Sequence, residues 1–390
     1  MLNRFNRWRY PTVQTGRDLR LDFLRGYCIV IMIIDHVSLF PAWTIGLTGN
    51  TRLWVSAAEG FVLISGVVMG LVYPRLIVQR GWPWAIRHVT RRAAGLFALT
   101  VGGQILLNTG DFLLRALRGR PSDVPVDYVQ LIHEAVFQSR MAPAYLSLLP
   151  LFILFMLWGL AVLYALSRGH WRWVLLGSIG LWYAARLDPE LFTVIRTPFR
   201  FPSWQILFTA GLLGGYYRAT IRAWWKRLPA GGWRSAGLIG VGIGLLLLSY
   251  QISYNGLWAG IDWLKVDGPV FLRIELGPGR VIAALWVFAA CYELLTVCWR
   301  PLSRGLGWLV LPLGQHALTA FVIHSIAVYN IQRLPGWPFP DHDATLMGFI
   351  HLGIVIAVWG ATLAVVHVRS RGWQRVAYAR LIVWADSPRP

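Results

Sequence analysis

Ten times along this chain, about twenty consecutive residues pass with almost no charge. A stretch of that length crosses a hydrocarbon layer of about 30 Å only as a helix, because in lipid every peptide group must be bonded within its own segment. The windows run roughly over Asp22–Pro41, Trp54–Tyr73, Ala93–Leu113, Ala144–Leu166, Trp173–Leu187, Trp204–Ile221, Ala236–Tyr254, Gly279–Cys298, Leu309–Tyr329 and Thr345–Val366, the fifth being the shortest. They predict an all-α, polytopic membrane protein of about ten transmembrane helices, with residues 1–390 forming one integral-membrane domain. No internal repeat of fixed period stands out.

Charge sets the orientation. The chain has a net charge of +20, which raises nucleic acid as a partner, but only two of its 37 basic residues are Lys and most of the rest flank apolar windows. With 56% hydrophobic residues and 14% charged ones, it is far from a soluble domain, where charge approaches a quarter. No nucleic-acid partner is expected. The segments 1–25, 74–92, 167–172, 218–234, 299–304 and 369–390 together hold roughly 25 of the 37 Lys and Arg, which predicts that both termini are cytoplasmic. The same residues suit anionic lipid headgroups. The first window lacks a small-residue cleavage site and reads as an uncleaved anchor. The long outside loop 114–143 contains Val126–Met141, whose helical apolar spacing suits a helix lying on the membrane surface. Cys28, Cys291 and Cys298 sit in apolar runs and read as packing residues, with no disulfide or metal cluster implied.

The first window carries charge into lipid. Asp22, Arg25, Ile29, Met32 and His36 share one helical stripe, with Asp35 one position aside. Arg25 and His36 are separated by about 16 Å of helix, roughly half the hydrocarbon layer. An Asp-His pair at that depth is a candidate site. A carboxylate beside an imidazole suits a general base, with His36 and Asp35 as candidate catalytic residues; a structural polar pair between helices is the alternative.

Glu59 in the second window needs a partner such as Arg52 or the His36 region, and is a third candidate catalytic residue. Ser65 is a candidate substrate contact, while Gly60, Gly66 and Gly70 suit close helix packing. Arg87 and Arg91, at i and i+4, with Arg92, present guanidinium groups to a phosphorylated ligand from the cytoplasm, or else serve only as inside anchors. Arg280 follows the turn Leu276-Gly-Pro-Gly and begins a helix, where a cation opposes the dipole, so Glu275 or substrate is its expected partner. His316 and His324, eight apart, fall near one face and suit either an acceptor sugar or thioester, or a bond to another helix. The sequence has no phosphate-binding Gly-Lys loop, metal-ligand spacing or dinucleotide fingerprint, so neither a bound cofactor nor a metal is expected.

The order Arg20-Leu-Asp-Phe-Leu-Arg25-Gly, Asp35-His36, Ala58-Glu59-Gly-Phe-Val-Leu-Ile-Ser65-Gly66, Met141 to Pro150, Trp204-Gln205, Leu276-Gly-Pro-Gly-Arg280 and Gly314-Gln-His316 resembles the OpgC family. The resemblance implies succinylation of osmoregulated periplasmic glucans and a likeness to the wider acyltransferase-3 membrane superfamily. It implies that Arg25 and His36 serve the acyl-transfer centre, and that the basic segment Arg87 to Arg92 meets acyl-CoA. The expected protein is therefore a bacterial inner-membrane O-acyltransferase. It would take an acyl group such as succinyl from acyl-CoA, a co-substrate, and deliver it to a glycan hydroxyl outside. Two rivals stay open. One is a proton-coupled transporter or flippase using Asp35-His36 as a relay, although the sequence shows no inverted repeat or broken helix. The other is a non-catalytic partner in envelope assembly.

Overall fold

The computed structural model describes residues 13–14, 17–49, 52–117, 129, 148–188, 199–229, 232–257, 260–334, 337 and 343–385. Apart from Val129, the surface helix expected at Val126–Met141 lies outside them, as does the stretch 141–147 of the fourth motif. Among the described residues the regular structure is helical except for one two-residue ladder, β1 (Val13–Gln14) against β2 (Arg17–Asp18), antiparallel with Val13 opposite Asp18. Two compact units divide it, one of residues 1–50 and 298–390, the other of 51–297.

The first unit is built on α1 (Leu19–Val37). Asp18 caps its start, accepting from the Arg20 N–H at 3.1 Å and from the Arg20 side chain at 2.9 Å. At the other end the N–H of Ser38 bonds to the Ile34 carbonyl, and its hydroxyl to that of Asp35 at 2.5 Å. The predicted stripe faces inward: Asp22, Ile29 and Met32 are buried, and Arg25 and His36 half-buried. Around α1 stand α2 (Ile45–Thr48) and, from the far end of the chain, α11 (Trp299–Gly305), α12 (Gly307–Gln315), α13 (Ala317–Ile331) and α14 (Ala344–Ala385). Helices α1 and α12 meet backbone to backbone. A side chain at Gly26 would run into the Val310 carbonyl, and one at Gly314 into that of Asp22. Gly314, read from the sequence as part of a functional motif, is thus the small residue that lets α1 approach.

The second unit holds α3 (Ala57–Arg80), α4 (Trp82–Leu117), α5 (Leu148–Ser167), α6 (Trp171–Leu187), α7 (Phe201–Tyr216), α8 (Arg218–Arg227), α9 (Gly232–Tyr254) and α10 (Pro278–Val297). Its centre is the α3–α7 contact. Gly66 and Gly70 lie against the carbonyls of Phe208 and Leu212, while Gly211 and Gly215 lie against those of Leu63 and Val67. Two small-xxx-small faces therefore interlock, the packing expected for Gly66 and Gly70. Phe155 on α5 stacks on Phe208 at 5.1 Å. Gln205 on α7 is enclosed, accepting from the Ser178 hydroxyl of α6 at 2.7 Å and donating to the Ser178 carbonyl at 2.8 Å.

Among the described residues five helices are long and apolar enough to cross a membrane: α3, α5, α9, α10 and Ala344–Arg369 of α14. A sixth span forms if α12 and α13, bent by 99° at their junction, count as one. The ten windows of the sequence exceed this for physical reasons. Helix α1 contains Arg20, Asp22, Arg25 and Asp35; α6 has 17 residues and α7 has 16. The ninth window, Leu309–Tyr329, is not one straight helix: Pro312 and Gly314 precede a break at His316, whose φ of −114° and ψ of 38° leave the helical region. The third window and the basic segment before it form one helix, the 36-residue α4. At about 54 Å, α4 is longer than a 30 Å hydrocarbon layer is thick.

Candidate functional site

In the first unit two histidines meet. His36 Nδ1 and His324 Nε2 are 3.0 Å apart, with ring centroids 5.2 Å apart and planes inclined by 22°. His324 Nδ1 lies 2.7 Å from the Phe321 carbonyl, one turn back on α13. His324 is fully enclosed and His36 half-buried. The Gln332 amide donates to the His36 carbonyl at 2.8 Å, tying the end of α1 to the end of α13. Asp35 is buried beside this pair in sequence. Arg25 sits eleven residues back on the same helix, half-buried.

His316 occupies the break between α12 and α13 and is half-buried. Its backbone is not helical, so it does not share a face with His324, contrary to the spacing argument. The sequence places both histidines in one polar lining; the structure encloses one and sets the other at a bend.

The second unit contains a fully buried ion pair. Arg280 Nε lies 2.5 Å from Glu59 Oε1, with neither side chain exposed. Glu59 also closes a capping box at the start of α3, accepting from the Ser56 N–H at 2.8 Å and from the Ser56 hydroxyl. Arg280 Nη1 donates to the Phe271 carbonyl at 3.2 Å. Both expected partners are corrected here. Arg52 stands over the Tyr254 ring at 5.4 Å instead of meeting Glu59. Glu275 lies 3.8 Å from Arg200 instead of Arg280. Carboxylate and guanidinium both sit in first turns, where the acid is favoured and the cation needs an opposite charge.

The turn before Arg280 is fixed from outside. Leu276 has a φ of 48°, and its carbonyl accepts from Trp182 Nε1 at 2.9 Å. Trp204, enclosed, donates to the Ile274 carbonyl at 3.1 Å. Phe271 stacks on Trp54 at 4.0 Å and 7°. Trp204-Gln205 therefore serves to hold this loop and α6, a role the sequence did not reveal.

On α4, Arg87, Arg91 and Arg92 are exposed, with Arg75 and Arg80 exposed on α3. The Arg80 guanidinium lies 4.9 Å from the Trp84 ring, which stacks on His88 at 4.8 Å and 12°. Partial burial, then the charges of Arg92, Arg91 and Arg80, hold His88 below the usual imidazole range. Several exposed guanidinium groups on this face can bind a multiply charged anion. Ser65, by contrast, donates to the Phe61 carbonyl of its own helix at 2.8 Å.

A family model described as OpgC protein matches residues 17–376. The chain belongs to the OpgC protein family. No curated protein and no solved structure matches it. The matched region of this OpgC family protein begins at Arg17, which forks onto the buried Asp22 carboxylate at 2.5 and 2.6 Å, and it includes His36, Glu59, Arg280 and His324.

One further histidine of the OpgC chain escaped the sequence reading. His351 on α14 is fully buried; its Nε2 accepts from the Leu39 N–H at 3.4 Å and its Nδ1 lies 2.6 Å from the Thr44 hydroxyl. It staples the loop after α1. The only cue was its place inside an apolar window, where an imidazole needs a partner.

Proposed function

We propose that this OpgC family protein is a membrane O-acyltransferase, akin to the acyltransferase-3 superfamily, that acylates a glycan hydroxyl using acyl-CoA. The carrying observation is the His36–His324 pair. It offers a half-accessible imidazole, backed by a second one, about 16 Å along α1 from Arg25. His36 takes the proton of the acceptor hydroxyl as its oxygen attacks the thioester carbonyl. The carbon–sulfur bond then breaks, the sulfur takes the proton from His36, and an ester and free CoA thiol result. Asp35 supplies negative charge next to the imidazolium.

Arg87, Arg91 and Arg92 hold phosphates of CoA, an assignment supported by the exposed guanidinium groups on α4; Arg25 is a separate candidate donor contact on α1. Glu59 and Arg280 bind each other, which supports a clamp that shapes the start of α3 and α10; His316 in the first unit is a candidate acceptor contact, and Ser65 in the second is a separate candidate substrate contact. The donor is an acyl-CoA such as succinyl-CoA and the acceptor a periplasmic glucan or related glycan. In this reading the protein is a bacterial inner-membrane protein with about ten spans and cytoplasmic termini. The test compares envelope glycans from cells with and without the protein by mass spectrometry. A missing ester supports the reading; identical glycans contradict it.

One observation favours a second reading. The 99° bend between α12 and α13 is the kind of broken helix that lines transport sites. Purified protein in liposomes separates the two: proton-coupled uptake without ester formation supports the transporter.

A further inference from the structure

We infer that His324 is a positioning residue that locks His36 in its Nδ1–H tautomer, leaving Nε2 as the basic nitrogen. A carbonyl oxygen only accepts, so the 2.7 Å contact with Phe321 requires the proton of His324 to sit on Nδ1. A fully enclosed imidazole is held neutral by the cost of burying charge, so His324 Nε2 carries only a lone pair. Nδ1 of His36, 3.0 Å away, must therefore donate. The remaining lone pair of a neutral His36 is on Nε2.

Enclosure decides which histidine does what. His324 has no exposed surface, so no acceptor sugar or thioester reaches it, and the substrate contact that the sequence suggested for it does not arise. His36 is half-buried and forms the accessible end of the relay. When Nε2 takes a proton, the Nδ1–H bond to His324 becomes charge-assisted without moving its own proton. A backbone carbonyl on α13 thus fixes which nitrogen of α1 is basic, through one intervening ring. The tautomer needs only the geometry; its catalytic use rests on the acyltransferase reading.

The test uses the full-length protein, labelled with ¹⁵N-histidine in detergent or nanodiscs, with the His36 signals identified by their loss in His36→Asn. Expected in the wild type is a protonated, pyrrole-type Nδ1 and a pyridine-type Nε2 for His36. In His324→Ala the tautomer should shift toward Nε2–H, whereas His324→Gln, whose amide oxygen also accepts, should keep Nδ1–H. Transfer in His324→Ala should fall about 10–100-fold in kcat, as when other oriented imidazoles lose their partner, with KM for the acyl donor unchanged. A wild-type His36 protonated at Nε2, or a tautomer unmoved by His324→Ala, overturns the inference. Absence of transfer in the wild type, with the tautomer as expected, refutes the acyltransferase reading alone.

Discussion

Glu59 Oε1 and Arg280 Nε lie 2.5 Å apart with both side chains fully enclosed, so one ion pair joins the first turns of α3 and α10. Removing either partner strands a buried charge. Arg280→Ala should cost about 3–5 kcal/mol of stability, while the double replacement Glu59→Gln with Arg280→Met should recover much of it. Thermal unfolding of the detergent-solubilised variants checks this; losses that simply add would show that the two side chains act independently.

The α3–α7 contact makes a sharper structural forecast. Gly66→Ala drives a methyl group into the Phe208 carbonyl, an overpacking that should cost about 1–3 kcal/mol. Gly95→Ala, where nothing lies within 4 Å, should be neutral or stabilising by up to about 1 kcal/mol in mid-helix. Equal melting temperatures for the two variants would contradict the interlocked packing.

How much of this was legible in the sequence differs by feature. The helical class follows from window length and the needs of the peptide group in lipid, and the stripe of α1 from its 3–4 spacing. Gly66 and Gly70 announced close packing, but not that Gly211 and Gly215 would answer them. Pairings across the chain left no local trace: Arg280 is 221 residues from Glu59, and His324 is 288 from His36. The sequence offered Arg52 and Glu275 because they were near along the chain. The break at His316 was missed because hydropathy averages over residues and does not see backbone angles, although Pro312 inside the window was a local cue.

The basic face of α4 should govern the donor. Replacing Arg87 and Arg91 together by Ala is expected to raise the KM for acyl-CoA at least tenfold, about 1.4 kcal/mol of lost ground-state binding, with little change in kcat. Steady-state kinetics in membrane vesicles measure it. An unchanged KM would make these residues orientation anchors.

His88 gives a pH test on the same face. Its folded value is held below the unfolded one, near 6.5, by burial first and then by Arg92, Arg91 and Arg80. The unfolded chain therefore binds more protons in the interval between the two values. The resulting stability is fully present above about pH 6.5 and is lost as the pH falls through 6.5 toward the folded value. His88→Gln should flatten the fall in melting temperature from about pH 7 to 5. A wild-type slope retained in that variant would assign the pH dependence elsewhere.

The most direct measurement is transfer of label from acyl-CoA to envelope glycan in membranes carrying His36→Ala. Loss of general-base catalysis should lower kcat by about 10²–10⁴-fold while the protein still folds and inserts. Transfer at the wild-type rate would contradict the assignment of His36 as the base.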